Sequence, residues 1–433
     1  MAFNKSIAEE LRERLPSHID VNTFHSKGLR VLLSNFRIKP KINENKCFVI
    51  GKKILETKDM DVKQQIRYLF EIQIIWNYIR VNLITDYEKE IPGICIEKNI
   101  EFQERMVGDM EQIRNAWHKE MKKINSVKEI NIDFTDMLYF PYQLLDSEDF
   151  PKYDIVTLDE QQDANTLQKE LALRYIKKSG RFVVVGDSRQ CIYGFQGSSL
   201  EVFKSLQSYP NTIVLPLDIT YRCGKNIVEE ARKVFDNGIV AAPNAIDGVV
   251  RKGEFDEAEN GDFILCRNNL PLATVFLYLL EMGKKATIKG KEYGDALVAL
   301  VDKIKYIEDL DAMCEKKISE LKERGLTDIQ AKNNPSYVAF LEKCTILKIL
   351  YKNWGDMKKL EDNIKEIYKD DTEGIVLSTI HKSKGLEADR VFLLNRSLIP
   401  SKYANTEEAL YNEKCLLFVA ITRARKELVY CNV

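Results

Sequence analysis

Two short apolar segments, each ending in a polar loop, constrain the fold of this 433-residue chain more than any other feature. Tyr153–Leu158 runs into an Asp-Glu pair, and residues 181–185 run into a Gly-Asp pair. A helical pattern over residues 164–178 separates the two segments. A strand, a helix and a second strand in this order predict a parallel sheet in which both strands are buried. The chain is therefore expected to be an α/β protein.

The same pattern continues through the rest of the chain. Further strand candidates are residues 212–217, 262–266, 374–380, 390–394 and 427–431. The first residues fit the end of a strand followed by a helix. Two helical stretches interrupt the series. We predict a first α/β domain of residues 1–40 and 128–217 with a helical insertion at 41–127, and a second of residues 218–301 and 370–433 with a small helical insertion at 302–369.

Composition excludes several classes of protein. With 45% apolar and 30% charged residues, the chain can bury a core, which excludes a disordered tail or a fibrous repeat. Lys and Arg (65) balance Asp and Glu (66), so nucleic-acid binding would need a local groove. No uncharged run exceeds 13 residues, which is too short for a membrane-spanning helix. Nine scattered cysteines without a C-x-x-C pair indicate reduced thiols and a cytoplasmic location.

The acidic pair Asp159-Glu160 directly follows the first predicted strand. Acidic side chains at the C-terminal end of a parallel strand lie where open α/β sheets bind ligands. One carboxylate can hold Mg²⁺ on nucleotide phosphates, and the next can deprotonate an attacking water. Such a pair is also common in a solvated loop or at a helix N-terminus, so alone it leaves both explanations open.

The loop after the second predicted strand combines glycines with aromatic rings. Residues 186–197 contain three glycines together with Gln190, Tyr193 and Phe195. Glycines permit tight turns, and exposed rings can stack on unpaired bases. Packing of both rings into the core explains the loop alone equally well.

Three further segments carry polar or charged residues at the end of apolar stretches. They are Thr220-Tyr221-Arg222-Cys223, residues 378–387 with His381, and residues 416–425 with Arg423. A guanidinium stays charged and binds phosphate oxygens through two N–H groups, so it can neutralise charge in phosphoryl transfer. Each segment alone is a weak signal, because surface arginines and lysines are usually only solvated.

The order and spacing of these five segments resemble the UvrD/Rep-type superfamily 1 DNA helicases. The resemblance covers nearly the whole chain and includes Ala2-Phe3-Asn4-Lys5, Thr23-Phe24-His25-Ser26 and residues 133–138. It implies two RecA-like parallel-sheet motor domains, each with a helical insertion. It also implies an ATP-dependent helicase or translocase that uses ATP and Mg²⁺ and moves 3′ to 5′ on single-stranded DNA or a 3′-tailed duplex.

The resemblance also implies roles for individual residues. At the nucleotide it implies Asp159 as Mg²⁺ ligand, Glu160 as general base, Gln190 as sensor of the γ-phosphate, Tyr221 stacked near the adenine, Arg222 and Arg423 as arginine fingers, and Glu387 at the ribose. Along the single-stranded track it implies Phe3, Thr23, His25, Tyr193, Phe195 and His381.

One expected motif is absent from the sequence. A nucleotide motor of this class uses G-x-x-x-x-G-K-[ST], whose backbone amides and lysine cradle the phosphates. Gly-Lys pairs occur at Gly51, Gly224, Gly283 and Gly290, but Ser or Thr follows none of them. In the family this loop precedes the element that matches the start of this chain. We therefore expect the first domain to be N-terminally incomplete, with uncovered apolar surface, and an upstream fragment to supply the phosphate loop.

These observations leave two functions open. The acidic pair and the arginines predict a helicase. The missing phosphate loop instead predicts a non-enzymatic single-stranded nucleic-acid-binding remnant, or a subunit of a split helicase. Measured affinity for ATP separates the two. Stacking and phosphate contacts serve RNA and DNA alike, so these residues do not distinguish the two kinds of strand.

Overall fold

Helices alternate with strands along the chain, as the apolar pattern predicts. The computed structural model describes residues 1, 5–55, 60–98, 100–192, 200–236, 238–323, 326–369 and 374–433. These residues form two units, Met1–Val214 and Leu215–Val433. All strand pairs between the described strands are parallel, in agreement with the predicted α/β class.

The first unit contains more helix than strand. Its helices are α1 (Lys5–Arg14), α2 (Phe24–Asn35), α3 (Lys46–Ile54), α4 (Val62–Asn82), α5 (Tyr87–Glu97), α6 (Arg105–Lys122), α7 (Asp136–Leu144), α8 (Thr166–Leu173) and α9 (Leu200–Gln207). Its strands are β1 (Lys39–Ile42), β2 (Glu129–Ile132), β3 (Tyr153–Leu158) and β4 (Ile176–Val184). β1 pairs with β2, and β3 pairs with β4, so this unit has two small sheets among its described residues.

Among the described residues, the β3–β4 sheet is covered on one face only. Val156 and Leu158 are buried in the core of the unit, whereas Ile155 is 60% exposed and Val183 is 42% exposed. Successive side chains of a strand point to opposite faces, so the exposed residues share the uncovered face. The prediction that both strands are buried is therefore wrong for this face, because the described helices pack against the other.

The boundaries around β4 also differ from the prediction. The helical pattern over residues 164–178 is wrong at its end, because α8 ends at Leu173 and Ile176 already pairs with Tyr153 in the sheet. At the other edge of β3, the amino group of Met1 donates to the Thr157 carbonyl, and the Asp159 amide donates to the Met1 carbonyl (3.3 Å). Met1 thus pairs with β3 through two backbone hydrogen bonds, and α1 begins four residues later. This agrees with the predicted end of a strand followed by a helix.

The second unit is built around a seven-stranded parallel sheet. Its strands are β5 (Ile219–Thr220), β6 (Val240–Ala241), β7 (Val249–Lys252), β8 (Phe263–Cys266), β9 (Ala286–Lys289), β10 (Tyr368–Lys369), β11 (Ile375–Thr379), β12 (Ala388–Leu394) and β13 (Ala424–Cys431). Its helices are α10 (Lys225–Arg232), α11 (Asn269–Glu281), α12 (Lys291–Val301), α13 (Asp309–Glu323), α14 (Asp328–Lys332), α15 (Pro335–Trp354), α16 (Met357–Ile367) and α17 (Glu407–Ile421). The strand order is β10-β9-β11-β8-β12-β13-β7, and β5 pairs separately with β6.

Four of the five further strand candidates are confirmed, and one is wrong. β8, β11, β12 and β13 coincide with four predicted segments, whereas residues 212–217 form no strand. Ile213, Leu215 and Leu217 are each at least 78% exposed. Pro216 has no backbone N–H to donate to a neighbouring strand, and no described strand pairs with this segment. The short strand β5 begins only after it, at Ile219.

Because all seven strands run in parallel, their ends define two distinct edges of the sheet. β11 ends at Thr379 on the C-terminal edge, and β12 starts at Ala388 on the N-terminal edge, on the other side of β8. Residues 380–387 therefore cross the whole sheet without an intervening α-helix. Side chains at the two ends of this segment lie on opposite edges.

The predicted domain boundaries remain a prediction. Helices α3 to α6 occupy the first predicted insertion, and α13 to α16 occupy the second. In the part of the chain that the structure describes, no helix combines the length and apolar character that crossing a bilayer requires.

A buried ion cluster joins four helices of the first unit. Arg80 on α4 donates to Asp133 (2.6 Å) and to Asp136 (2.8 Å), and the Lys46 ammonium on α3 lies 2.5 Å from Asp136. The indole of Trp117 on α6 also donates to Asp136 (2.8 Å). Burial raises the pKa of Asp136, and Lys46 and Arg80 oppose this effect. Two cations and two anions thus balance in a buried site.

We expect Asp136→Asn to lower the free energy of unfolding by about 3–5 kcal/mol, because it leaves a buried cation without its partner. Urea denaturation measures the change. The control is Glu10→Gln, which removes an exposed ion pair with Arg14 and should change stability by less than about 1 kcal/mol. Equal changes for both variants would contradict a structural role for the cluster.

Candidate functional site

The acidic pair lies at the C-terminal end of β3, as the sequence predicts. Asp159 and Glu160 are both half-buried, and the Glu160 amide donates to the Asp159 carboxylate (3.0 Å). The backbone of Glu160 is left-handed (φ 51°), a conformation that costs a non-glycine residue about 1–2 kcal/mol. The surrounding fold therefore holds this turn against its local preference, and strained turns of this kind concentrate at functional sites.

Gln162 links the acidic loop to the loop after β4. Its side-chain N–H donates to the Glu160 carboxylate (2.5 Å), and its side-chain oxygen accepts from the Asp187 amide (3.0 Å). A Cβ on Gly186 would lie 2.7 Å from that oxygen, so this approach requires glycine. Gln162 was not predicted as a site residue from the sequence, where its only signal is its place two residues after Glu160.

Gln190 is held within its own loop. Its side-chain amide donates to Asp187 (3.0 Å), and Arg189 forms an ion pair with the same carboxylate (2.8 Å). The structure thus brings Asp159, Glu160 and Gln190 onto two loops that Gln162 connects. Tyr193 and Phe195, which follow in the same loop, lie outside the described residues.

Two predicted track residues lie at the start of α2. Thr23 caps this helix, since its hydroxyl accepts from the Ser26 amide (3.2 Å). The ring of His25 meets the ring of Phe134 edge-on, with centroids 6.4 Å apart, and burial lowers the pKa of His25. Phe134 is 52% exposed and was not singled out from the sequence as a site residue. Phe3 lies outside the described residues.

The N-terminal edge of the large sheet brings a predicted arginine and a predicted glutamate together. Arg222 donates to Glu387, which directly precedes β12, and both side chains are more than one-third exposed. Arg425 approaches the same carboxylate at 3.6 Å. Tyr221 is 80% exposed, so its ring is open to a ligand.

Arg423 lies at the same edge but is buried. Only 1% of the residue is exposed, and its guanidinium donates to the carbonyls of Val419 (3.1 Å) and Leu386 (3.0 Å). These bonds fix the start of β13 against the segment that precedes β12. Cys223, which follows Arg222, donates to the Thr422 carbonyl (3.7 Å), and burial raises the pKa of its thiol to about 11.

His381 lies at the opposite, C-terminal edge of the sheet. Burial, together with a smaller effect of the nearby Arg267, lowers its pKa to about 4, and Glu413 partly opposes both. Arg267 and Glu413 form an ion pair with each other (2.8 Å), which was not predicted from the sequence. His381 is therefore neutral at neutral pH.

The residues fit Mg²⁺ on a nucleotide better than a metal bound by protein alone. In the described ranges no three His, Cys, Asp or Glu side chains converge as a metal site. Mg²⁺ usually takes one or two carboxylates together with substrate phosphates, which suits the half-buried carboxylate of Asp159. The sequence offers no Gly-Lys-[ST] cradle for those phosphates.

Comparison with sequence families gives two overlapping matches. The UvrD-like helicase C-terminal domain matches residues 110–432. The UvrD/REP helicase N-terminal domain matches residues 1–210. The first match alone covers well over half of the chain.

Named relatives share low overall identity with the chain. The ATP-dependent DNA helicase Rep of Buchnera aphidicola subsp. Acyrthosiphon pisum (strain APS) is 21% identical over 580 aligned residues, covering 100% of this chain and 87% of that protein. F-box DNA helicase protein 1 of Schizosaccharomyces pombe is 27% identical over 330, covering 69% of this chain and 37% of that protein. The ATP-dependent DNA helicase PcrA of Bacillus subtilis (strain 168) is 27% identical over 262, covering 55% of this chain and 33% of that protein.

We expect Gln161→Leu to raise the free energy of unfolding by about 1–3 kcal/mol. Gln161 is fully buried, and neither polar atom of its side chain has a hydrogen-bond partner among the described residues, so leucine removes a desolvation penalty. Gln162→Leu should destabilise by a similar amount, because it breaks both bonds of the bridge. Chemical denaturation of the two variants checks the opposite signs, and two losses of stability would contradict the assignment.

We expect acid to destabilise the protein through His381. Its pKa is about 4 in the fold against 6.5 unperturbed, so below pH 6.5 the unfolded chain binds the extra proton and stability falls until about pH 4. Over this pH range, wild type should lose up to roughly 3 kcal/mol more free energy of unfolding than His381→Gln, whose side chain cannot titrate. Unfolding at pH 7 and pH 4.5 compares the two proteins. If the two proteins show the same pH dependence, His381 takes up its proton in the folded state as readily as in the unfolded chain, which would contradict the prediction.

Proposed function

This chain belongs to the UvrD-like helicase family, a family of DNA helicases, and on that premise we propose that it is an ATP-driven motor that moves 3′ to 5′ along single-stranded DNA or a 3′-tailed duplex. The observation that carries the proposal is the bridge through Gln162. It joins the proposed general base Glu160 to the loop that holds Gln190. A change at the reacting phosphate would therefore be transmitted directly to the loop after β4.

The acidic loop supplies the hydrolytic groups. Asp159 would hold Mg²⁺, and Glu160 would take the proton from the water that attacks the γ-phosphate. Bound Mg²⁺ neutralises developing phosphate charge in this chemistry. Gln190, fixed by Asp187, would hydrogen-bond to the γ-phosphate.

Residues of the second unit complete the proposed nucleotide chemistry. Arg222 would leave Glu387 for the γ-phosphate, because its ion pair is exposed enough to exchange partners. Glu387 would then contact the ribose, and Tyr221 would stack near the adenine. To act as a second arginine finger, Arg423 would have to break its hydrogen bonds to two backbone carbonyls. Among these assignments, this one therefore requires the most free energy.

The proposed single-stranded track combines rings with polar contacts. Thr23, His25 and His381 belong to it, as do Phe3, Tyr193 and Phe195, which the structure leaves undescribed. We add Phe134, because its exposed ring beside His25 offers a face to an unpaired base. Stacking tolerates any sequence, as a translocating motor requires.

We also propose that a separate or preceding segment supplies the phosphate loop and completes the first domain. Two observations support this. The apolar face with Ile155 and Val183 is left uncovered by the described residues, and Met1 already hydrogen-bonds along the edge of β3. A strand and helix added there would cover the face and carry a Gly-Lys-[ST] loop to the acidic pair. The alternative is a non-enzymatic binder of single-stranded nucleic acid, which the absent loop favours.

The test measures ATP hydrolysis and single-stranded DNA binding for the purified chain, alone and co-expressed with the polypeptide encoded directly upstream. We expect strong DNA-stimulated turnover only in the co-expressed sample. There, Glu160→Gln should lower kcat by about 10²–10⁴-fold and leave DNA affinity unchanged, since glutamine can still accept from Gln162 but cannot act as a base.

Glu170→Gln on α8 is the matched control and should have no effect. Full turnover by the chain alone would overturn the need for a further segment. DNA binding without ATP turnover in either sample would establish the non-enzymatic alternative instead. Unwinding of 3′-tailed but not 5′-tailed duplex checks the direction.

A further inference from the structure

One carboxylate at the N-terminal edge of the seven-stranded sheet is shared by two arginines. Arg222 donates to Oε2 of Glu387, and the guanidinium of Arg425 lies 3.6 Å from Oε1 of the same carboxylate. The exposed fractions of the three side chains are 37% (Arg222), 38% (Glu387) and 44% (Arg425). Exposed ion pairs are weak, so the carboxylate can exchange one partner for another at little cost in free energy.

Arg425 is anchored independently of Glu387. Its Nε donates to one oxygen of Asp389 (2.7 Å), and the Lys426 ammonium lies 2.7 Å from the other oxygen. Lys426 most strongly, and then Arg425 against the opposing effect of burial, hold the pKa of Asp389 below its ordinary value. Asp389 therefore stays ionised at neutral pH and keeps the Arg425 side chain beside Glu387, whichever partner Arg222 has.

The start of β13 also fixes the two backbone segments that carry the shared carboxylate and its first arginine. The Arg425 carbonyl accepts from the amide of Gly224 (2.9 Å), and the Arg423 carbonyl accepts from the amide of Ala388 (3.1 Å). Gly224 lies two residues after the first arginine, and Ala388 lies one residue after the shared glutamate. Because both segments are fastened to β13, an exchange of partners at the carboxylate requires movement of side chains only.

We propose that Arg425 is a positioning residue that holds Glu387 at the ribose of the bound nucleotide after Arg222 has left for the γ-phosphate. This role rests on the proposed function, which brings Arg222 to that phosphate and Glu387 to the ribose. The departure of Arg222 frees Oε2 of Glu387 to accept from a ribose hydroxyl. Arg425 keeps Oε1 and supplies the positive charge that the carboxylate has lost, so the glutamate stays oriented during the exchange.

A guanidinium also binds phosphates, so direct contact of Arg425 with the nucleotide phosphates is the other use of the same chemistry. The contacts of the two arginines disfavour it. Arg425 would have to leave Asp389 (2.7 Å) as well as Glu387. Among the described residues, the Arg222 side chain has only the Glu387 carboxylate to leave. Arg222 is therefore the arginine that moves, and Arg425 is the one that stays.

The experiment measures, by calorimetry with Mg²⁺, the affinities for ATP and for 2′,3′-dideoxy-ATP, which lacks both ribose hydroxyls. Every protein carries Glu160→Gln to prevent hydrolysis and is tested alone and co-expressed with the upstream polypeptide. With Arg425 present, we expect the dideoxy nucleotide to bind about tenfold more weakly, because a hydrogen bond to a charged group is lost. Arg425→Gln should weaken ATP binding about fivefold and leave the affinity for the dideoxy nucleotide unchanged, since the ribose contact is then lost for both.

Lys426→Gln is the matched control. It removes the neighbouring cation from Asp389 but none from Glu387, so it should keep the full ratio between the two affinities. Arg425→Lys should keep most of this ratio, because an ammonium still offers positive charge to Oε1.

An unchanged ratio in Arg425→Gln would overturn the proposal. An equal loss of affinity for both nucleotides would place Arg425 on the phosphates and would also overturn it. Equal affinities for the two nucleotides in the protein that retains Arg425 would do the same, because Glu387 would not contact the ribose, and would leave the proposed motor standing. A protein that binds neither nucleotide in either sample would overturn this proposal together with the proposed function.

Discussion

The common direction of the seven strands in the second unit is the constraint on which its chemistry depends. A parallel sheet places all strand starts at one edge and all strand ends at the other, so side chains next to strands are sorted by position. Arg222, Glu387 and Arg423 lie at the edge of strand starts, and His381 lies at the edge of strand ends. Residues 380–387 run directly between these two groups. A shift of this segment would move both ends together, which would give a physical route between the residues proposed for the nucleotide and the residue proposed for the strand.

In the first unit the corresponding link is a single side chain. Gln162 is fully buried and contacts one loop through its N–H and another through its oxygen. Burial makes this bridge rigid, because a glutamine that released either loop would leave a polar group unsatisfied. The strained backbone of Glu160 sits at the start of the same bridge. Backbone strain and buried hydrogen bonds thus occur where the proposed hydrolysis takes place. The core residues Trp76 and Trp117 and the ion cluster lie elsewhere in the unit, on and next to helices α3, α4, α6 and α7.

The sequence predicted the fold best where burial is continuous. β8, most of β11 and the C-terminal halves of β12 and β13 are apolar and largely enclosed, so an apolar run is a sufficient signal for them. The same signal failed at residues 212–217, because a strand also needs a partner, and partners are set by the whole chain. Motif order predicted Asp159, Glu160 and Gln190 close together. It did not predict Gln162 or Phe134, since their surroundings depend on turns and contacts between segments distant in sequence.

The free cysteines have a practical consequence. All nine are buried, and burial raises the pKa of several of them, including Cys47 and Cys431, each to about 12. A maleimide dye reacts with exposed thiolates, so the folded wild-type chain should remain almost unlabelled. A single cysteine introduced on the surface would then carry the only fluorophore. Dyes attached in this way, one on each unit, would let single molecules be followed while nucleotide is added, without first removing the native thiols.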